Sequence, residues 1–484
     1  MSSLDLSGNT KIGAWIICGV ISAVAVWHWL REAAREKKRD KRQQQREKYR
    51  QDLLERHDLY HQGLPTTYID GLGGNPQLKH FFNEGQRYKK QYKFKEAIDE
   101  YSKCVSHPGA TEENRVAANI LIGNCYYGQS KFTEAEKHYR EALDISKLVK
   151  DESERLQGRA AALGNMGIVL QKGGDLDGAL ENYRKALETN KKIGRPEGIA
   201  ANYGNIGVLL RQAGDLKGAL ENHKKALETN QRIGWREGMA DNYCNIGIAL
   251  ADQGDLKGAL ENHRKALKID EEIGDLSRMA EDYSAIGIVL SVEADLNGAL
   301  LYHKKDLGIN QRIGQPGGVA RAHCNIGIVL AQKGDLGGAL ENYEKALKIF
   351  EELGQPAEEA HTYINIGNVL ASKGDLEGAL ESYYTAVSTY ETIGRPASAA
   401  HGYINIANIH SRKNDYKSAA LLELKALLVY SQIGMKQQIE RTKLRLSLSI
   451  KRLREQGKYE EFLREAKEEF GEEVAQHLAP IGRD

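Results

Sequence analysis

The stretch Asn325–Leu340 reads NIGIVLAQKGDLGGAL, and it returns as NIGVLLRQAGDLKGAL from Asn205, NIGIALADQGDLKGAL from Asn245 and NIGNVLASKGDLEGAL from Asn365. The step is 40 residues. A fixed period of this size signifies a repeat architecture, in which each copy buries its apolar face only against its neighbours. Gly167, Gly207, Gly247, Gly287, Gly327 and Gly367 keep the step, with Ala407 in the next place. Asp175, Asp215, Asp255, Asp295, Asp335, Asp375 and Asp415 keep it too. Looser copies place Gly123, Phe132, Ala135 and Tyr139, and before them Gly85, Phe94, Ala97 and Tyr101, in equivalent positions. That makes nine copies.

Each copy reads as two helices. Tyr203, Ile206, Gly207 and Leu210 have the i, i+3, i+4, i+7 spacing of one apolar face, and Leu216, Ala219, Leu220, His223, Ala226 and Leu227 supply a second. Between them, Gly214 suits the left-handed end of one helix and Asp215 the N-cap of the next. At the other junction Gly194 closes a helix and Pro196 opens one, where its missing N–H does no harm; Pro316, Pro356 and Pro396 recur there. A glycine inside a helix costs about 1 kcal/mol relative to alanine. Gly207 is followed 12 residues later by Ala219, and Gly327 by Ala339, so two small residues are expected to face each other and let the helices approach.

The spacing Tyr203, Ile206, Gly207, Leu210, Ala219, His223, Ala226 resembles the tetratricopeptide pattern, with tyrosine for tryptophan and without the final proline. Arrays built on a similarly long unit include kinesin light chains and Pins-type scaffolds. The resemblance implies an all-α tetratricopeptide solenoid over residues 78–434. Residues 435–484 read as a capping pair and tail, with a charged helix from Lys436 to Gln456 and a second around Gly457–Ala466. A polar terminal pair covers the last apolar face of a solenoid.

The first 77 residues differ in kind. After an 11-residue tail, Ile12–Leu30 carries no Lys, Arg, Asp or Glu and includes Trp15, Trp27 and Trp29. It has the length and composition of a transmembrane helix. Ala23-Val24-Ala25 resembles a signal cleavage site, but Asp5 and a single leading Lys11 do not make the positive start that a signal needs. Residues 31–50 hold ten basic and four acidic side chains in a chain whose total charge is +1. The expectation is therefore a single-pass membrane protein with its array facing the cytoplasm. Residues 31–77 form a basic juxtamembrane helix and linker, with 31–50 against anionic lipids rather than nucleic acid.

Chemistry is sparse. Cys18, Cys104, Cys125, Cys244 and Cys324 form no C-x-x-C and suit free thiols. His223, His263 and His303 share a repeat position with Tyr183 and Tyr343, so they read as aromatic substitutes rather than metal ligands. No catalytic constellation, metal site or cofactor motif is expected, and no enzymatic role.

Function belongs on the concave face, which the resemblance assigns to the first helix of each pair. Counted from the repeat glycine, the candidate positions lie six, three and two before it and one after it. Two before stand Asn205, Asn245, Asn325, Asn365 and Asn405, with Asn165 ahead of them and Ala285 as the exception. A carboxamide ladder can pair with an extended backbone whatever its sequence, or can tie one repeat to the next. One after stand Ile248, Ile288 and Ile328, then Asn368 and Asn408; six before, Asp241 and Glu281 give way to Arg321, His361 and His401. The expected partner is a protein or peptide segment held by a membrane-anchored scaffold. The alternatives are a chaperone-docking or import receptor and a self-assembling structural protein. Last, Asp306 and His323 depart from the repeat on helices that touch and are expected to pair.

Overall fold

The computed structural model describes residues 75–472, in which all regular structure is α-helical. Among the described residues there are twenty helices. They fall into two compact units divided between Gly214 and Asp215.

The first unit contains α1 (Pro76–Lys90), α2 (Phe94–Ser106), α3 (Glu112–Gly128), α4 (Phe132–Ser146), α5 (Glu152–Gly173), α6 (Leu176–Lys192) and α7 (Pro196–Gln212). The second contains α8 (Leu216–Ile233), α9 (Arg236–Asp252), α10 (Leu256–Ile273), α11 (Leu276–Val292), α12 (Leu296–Ile313), α13 (Pro316–Gln332), α14 (Leu336–Leu353), α15 (Pro356–Lys373) and α16 (Leu376–Thr392). It continues through α17 (Pro396–Arg412), α18 (Tyr416–Gln432), α19 (Lys436–Glu455) and α20 (Tyr459–Phe470). Within each unit an odd-numbered helix packs on the even one that follows it. In addition α3 touches α5, α5 touches α7, α11 touches α13 and α13 touches α15, so these odd helices form an inner layer of their unit.

Local chemistry sets the boundaries. Asp255, Asp335 and Asp375 each accept a hydrogen bond from the backbone N–H three residues on at 2.9 Å, which caps the following helix. Just ahead of each aspartate the chain turns through a left-handed residue, Gly254, Gly334 or Gly374. The Asp N–H then bonds back to the carbonyl of Leu250, Leu330 or Leu370, satisfying the end of the inner helix. In the α11–α12 turn the left-handed residue is Ala294.

The repeat glycine has a more specific cause than the expected small–small contact. A Cβ added to Gly327 would lie 2.6 Å from Cε1 of Tyr343, and one added to Gly123 would lie 2.5 Å from Cε1 of Tyr139. The residue that takes up the glycine's missing side chain is the aromatic ring 16 positions later; the alanine 12 positions later is buried beside it. His263 and His303 fill the same place over Gly247 and Gly287, and burial holds each imidazole neutral, with a pKa lowered to about 4. Where the inner helix has Ala407 instead of glycine, the outer position holds the slimmer Glu423.

The expected membrane span, and with it the single-pass placement facing the cytoplasm, is corrected. Among the described residues no helix is long and apolar enough to cross a membrane. Residues 12–30 and the basic segment 31–50 lie outside the described residues.

Candidate functional site

The inner helices place the candidate residues on one side of each unit. Asn205 is half-buried on α7 of the first unit, and the other nine candidates lie in the second. There, Glu281, Arg321, His361 and His401, six before the repeat position, are exposed and Asp241 is half-exposed. One after it, Ile248, Ile288 and Asn368 are exposed, Ile288 to 51%, while Asn408 is half-buried. The intervening Asn245, Asn325, Asn365 and Asn405 are half-buried between these two rows. The positions at i, i+4 and i+7 therefore form one continuous stripe on each inner helix.

The asparagines do not act alike. Asn325 Nδ2 donates to Ser284 Oγ at 3.2 Å, joining α13 to α11. Asn365 Nδ2 is buried and has no hydrogen-bond partner in the structure. Asn368 Oδ1 accepts from the Tyr383 hydroxyl at 2.7 Å, and Asn408 Oδ1 accepts from Arg445, so each turns its NH2 group away from the bond. His401 lies edge-on to Tyr430 with ring centroids 5.5 Å apart.

The acidic middle expected from Asp241 and Glu281 is partly neutralised by a residue that the sequence reading passed over. Arg278 Nη1 pairs with Asp241 at 2.8 Å, its Nε donates to Asp270 at 2.8 Å, and its Nη2 donates to the Glu237 carbonyl at 3.1 Å. Asp270 and Asp282 are almost wholly buried beside it. Cys244 Sγ donates to Asp282 Oδ1 at 2.9 Å. Burial pushes the Asp282 carboxyl up to about 8, and also raises Asp270 against the pull of Arg278. The same three places in the preceding copy are Asn230, Gly238 and Asn242, where Asn242 donates to the Gly238 carbonyl at 2.6 Å. The signal was thus a departure from the repeat, an Asp-Arg-Asp set replacing Asn-Gly-Asn.

The expected Asp306–His323 pair is not formed. Asp306 Oδ1 accepts from Asn310 Nδ2 at 2.5 Å within α12, and His323 Nδ1 bonds Asn342 Oδ1 at 2.9 Å. Each group reached a nearer partner on or beside its own helix pair. Of the cysteines, Cys104, Cys125, Cys244 and Cys324 are free thiols, and Cys18 lies outside the described residues. Among the described residues no group of three or more His, Cys, Asp or Glu has the geometry to hold a metal.

Two tetratricopeptide repeat family models match the chain, one over residues 158–232 and 318–392, the other over 121–149 and 240–273. The repeats are tetratricopeptide repeats. Among solved structures, the apo form of the quorum sensor NprR from B. thuringiensis is similar at 14% identity with a TM-score of 0.54, over 74% of this chain and 99% of that one. Aspartyl phosphate phosphatase F from Bacillus subtilis gives 12% identity and a TM-score of 0.51, over 73% and 93%. A signal-transduction ATPase with a tetratricopeptide repeat sensor, from Pyrococcus horikoshii, gives 16% and 0.51, over 76% of this chain and 54% of that one. At such identities the likeness is one of fold. No curated protein matches the chain.

Proposed function

We propose that this tetratricopeptide protein is an interaction scaffold that holds an extended segment of a partner protein along the inner-helix face of its second unit. One observation carries the reading. On successive inner helices of this unit the rows six before and one after the repeat position are mostly exposed, with half-buried side chains between them, and they present groups as unlike as Ile288, Arg321 and Asn368. A surface kept open at equivalent places while its chemistry varies is suited to recognition rather than to stability. The carboxamides supply donors and acceptors for a peptide backbone, and the varied rows supply selectivity.

A lysine-based carboxylate clamp of the kind used for chaperone tails finds no support at the row three before the repeat position, which reads Cys244, Ser284, Cys324, Ile364, Ile404. Self-assembly has no observation in its favour. The test is selection of linear peptides from a random library on the full chain, followed by affinity measurement on Ile288→Arg and, as a control on an outer helix, Lys345→Glu. Loss of binding in the first and not the second is expected. Equal affinity in both would remove the inner-helix face as the site.

A further inference from the structure

The last helix pair is more than a polar cover. α19 buries Leu446, Ile450 and Leu453 against α18 and α20, where they pack with Leu424, Phe462 and Ala466. Its opposite face stays open, and Leu444 and Leu448 there are 65% and 58% exposed. These are not stray leucines. A 40-residue step from Ile364 and Ile404 lands on Leu444, one from Asn368 and Asn408 lands on Leu448, and one from His361 and His401 lands on Arg441. The open face of α19 thus continues the inner-helix stripe through one more pair.

Continuity of the three helices is set by side chains. Arg412 Nη1 donates to the Ala371 carbonyl at 3.0 Å, joining α17 to α15, and Arg445 donates to Asn408, joining α19 to α17. Along this stretch the row three before the repeat position changes from Gly204, Cys244, Ser284 and Cys324 to Ile364, Ile404 and Leu444. The row beside it is cationic or protonatable, His361, His401 and Arg441, all exposed. α19 itself carries seven Lys and Arg against two Glu. The amide groups of Asn368 and Asn408 have their oxygens engaged and their NH2 groups left to donate.

We propose that α15, α17 and α19 form a docking site for an acidic protein segment with an aliphatic residue at every third position; this rests on the inner-helix reading above and deepens it. Packed helices lie about 8–10 Å apart. A chain in a polyproline II conformation has three residues per turn and rises ~3.1 Å per residue, so residues i, i+3 and i+6 share one side at a spacing of about 9 Å. Three aliphatic side chains then meet Ile364, Ile404 and Leu444 in register, and Leu448 extends the apolar contact. Asp and Glu at the intervening positions face His361, His401 and Arg441. The NH2 groups of Asn368 and Asn408 donate to backbone carbonyls, which a polyproline II chain leaves unpaired.

The probe is a fluorescein-labelled peptide of repeated Leu-Glu-Asp, titrated into the full chain and followed by anisotropy. The expected result is saturable binding that weakens at least tenfold in Leu444→Asp and in Arg441→Glu, weakens with added salt, and is unchanged in the outer-helix control Lys345→Glu. A Leu-Lys-Lys peptide, or one with leucine at every second position, should bind at least tenfold more weakly. Arg441 is exposed, so its variant answers the question even if Leu444→Asp perturbs folding. No binding to the parent chain, or equal affinity in both C-terminal variants, overturns the proposal. Loss confined to Ile288→Asp overturns it too while leaving the broader reading intact. Binding of phosphatidylserine vesicles that depends on Arg441 and Leu444, with no binding of the peptide, would assign the surface to a membrane instead and equally overturn it.

Discussion

Gly367 and Tyr383 share one space: a Cβ on the glycine would sit 2.5 Å from Cε1 of the ring, closer than side-chain carbons approach. Tyr383 is pinned there because its hydroxyl donates to Asn368. Gly367→Ala should therefore destabilise by ~1–3 kcal/mol through overpacking, although alanine is the better helix former by about 1 kcal/mol. Gly308, in an exposed part of α12 with open space around it, is the control. Gly308→Ala should stabilise by up to ~1 kcal/mol. Urea unfolding of both variants against the parent decides, and a stabilised Gly367→Ala would refute the packing account.

Asp306 gives a pH dependence. Burial pushes its carboxyl up to about 7, with Arg321 and the bond from Asn310 drawing it only part of the way back. The ordinary value is 3.8. Between the two values the folded chain keeps the proton that the unfolded chain releases, so this residue's effect is to make stability fall as pH rises through that window. Asp306→Asn keeps an acceptor for Asn310 and has no proton to lose. It should match the parent near pH 4 and be more stable by roughly 1–4 kcal/mol at pH 8. Thermal melts at the two pH values test this, and a variant less stable than the parent at pH 8 would contradict it.

Ala294 is a left-handed residue at φ 64°, in a turn where equivalent copies use glycine. The strain of an L-residue there is about 1 kcal/mol or more, and glycine's extra freedom in the unfolded chain offsets part of the gain. Ala294→Gly should raise stability by ~0.5–1 kcal/mol, read as a higher denaturation midpoint. A lower midpoint would show that the turn is not strained.

The asparagine row separates into two roles that can be measured independently. Asn325→Ala removes the bond to Ser284 and should lower stability by ~0.5–1.5 kcal/mol. In Asn365→Ala the amide lost is a buried donor without an internal partner, so stability should hold or rise. If binding turns that buried donor outward to a ligand carbonyl, affinity for a selected peptide should fall by roughly 2- to 13-fold. A drop in melting temperature for Asn365→Ala would place it with Asn325 as a tie between repeats.

Helix pairing, turn chemistry and the N-cap aspartates were legible in the sequence because the 40-residue period displays each rule many times over. Contacts that hold one pair to another were less so. The ring that excludes a Cβ from Gly327 is 16 residues away, and nothing in spacing alone chooses Tyr343 over the nearer Ala339. Arg278 escaped because a groove reading counts fixed rows, whereas its role comes from a three-site replacement within one copy. The Asp306–His323 pairing failed for a related reason: two departures from a consensus suggested each other, yet Asn310 and Asn342 lay closer. The open face of α19 is masked by the charged composition of its helix, although Leu444 and Leu448 keep the period.

The exchange of Gly367 and Tyr383 for Ala407 and Glu423 one copy later also bears on how such a chain can diversify. Glycine and ring belong to two different helices of one pair, so changing either alone passes through a clash or a void. Recombination that cuts between the helices of a pair would splice an inner helix to an outer helix with the wrong volume. Cuts at Gly394 or Gly354, between pairs, leave each matched couple whole. The inherited module is therefore the pair rather than the helix, and new surfaces arise by shuffling intact pairs whose inner stripes are free to drift.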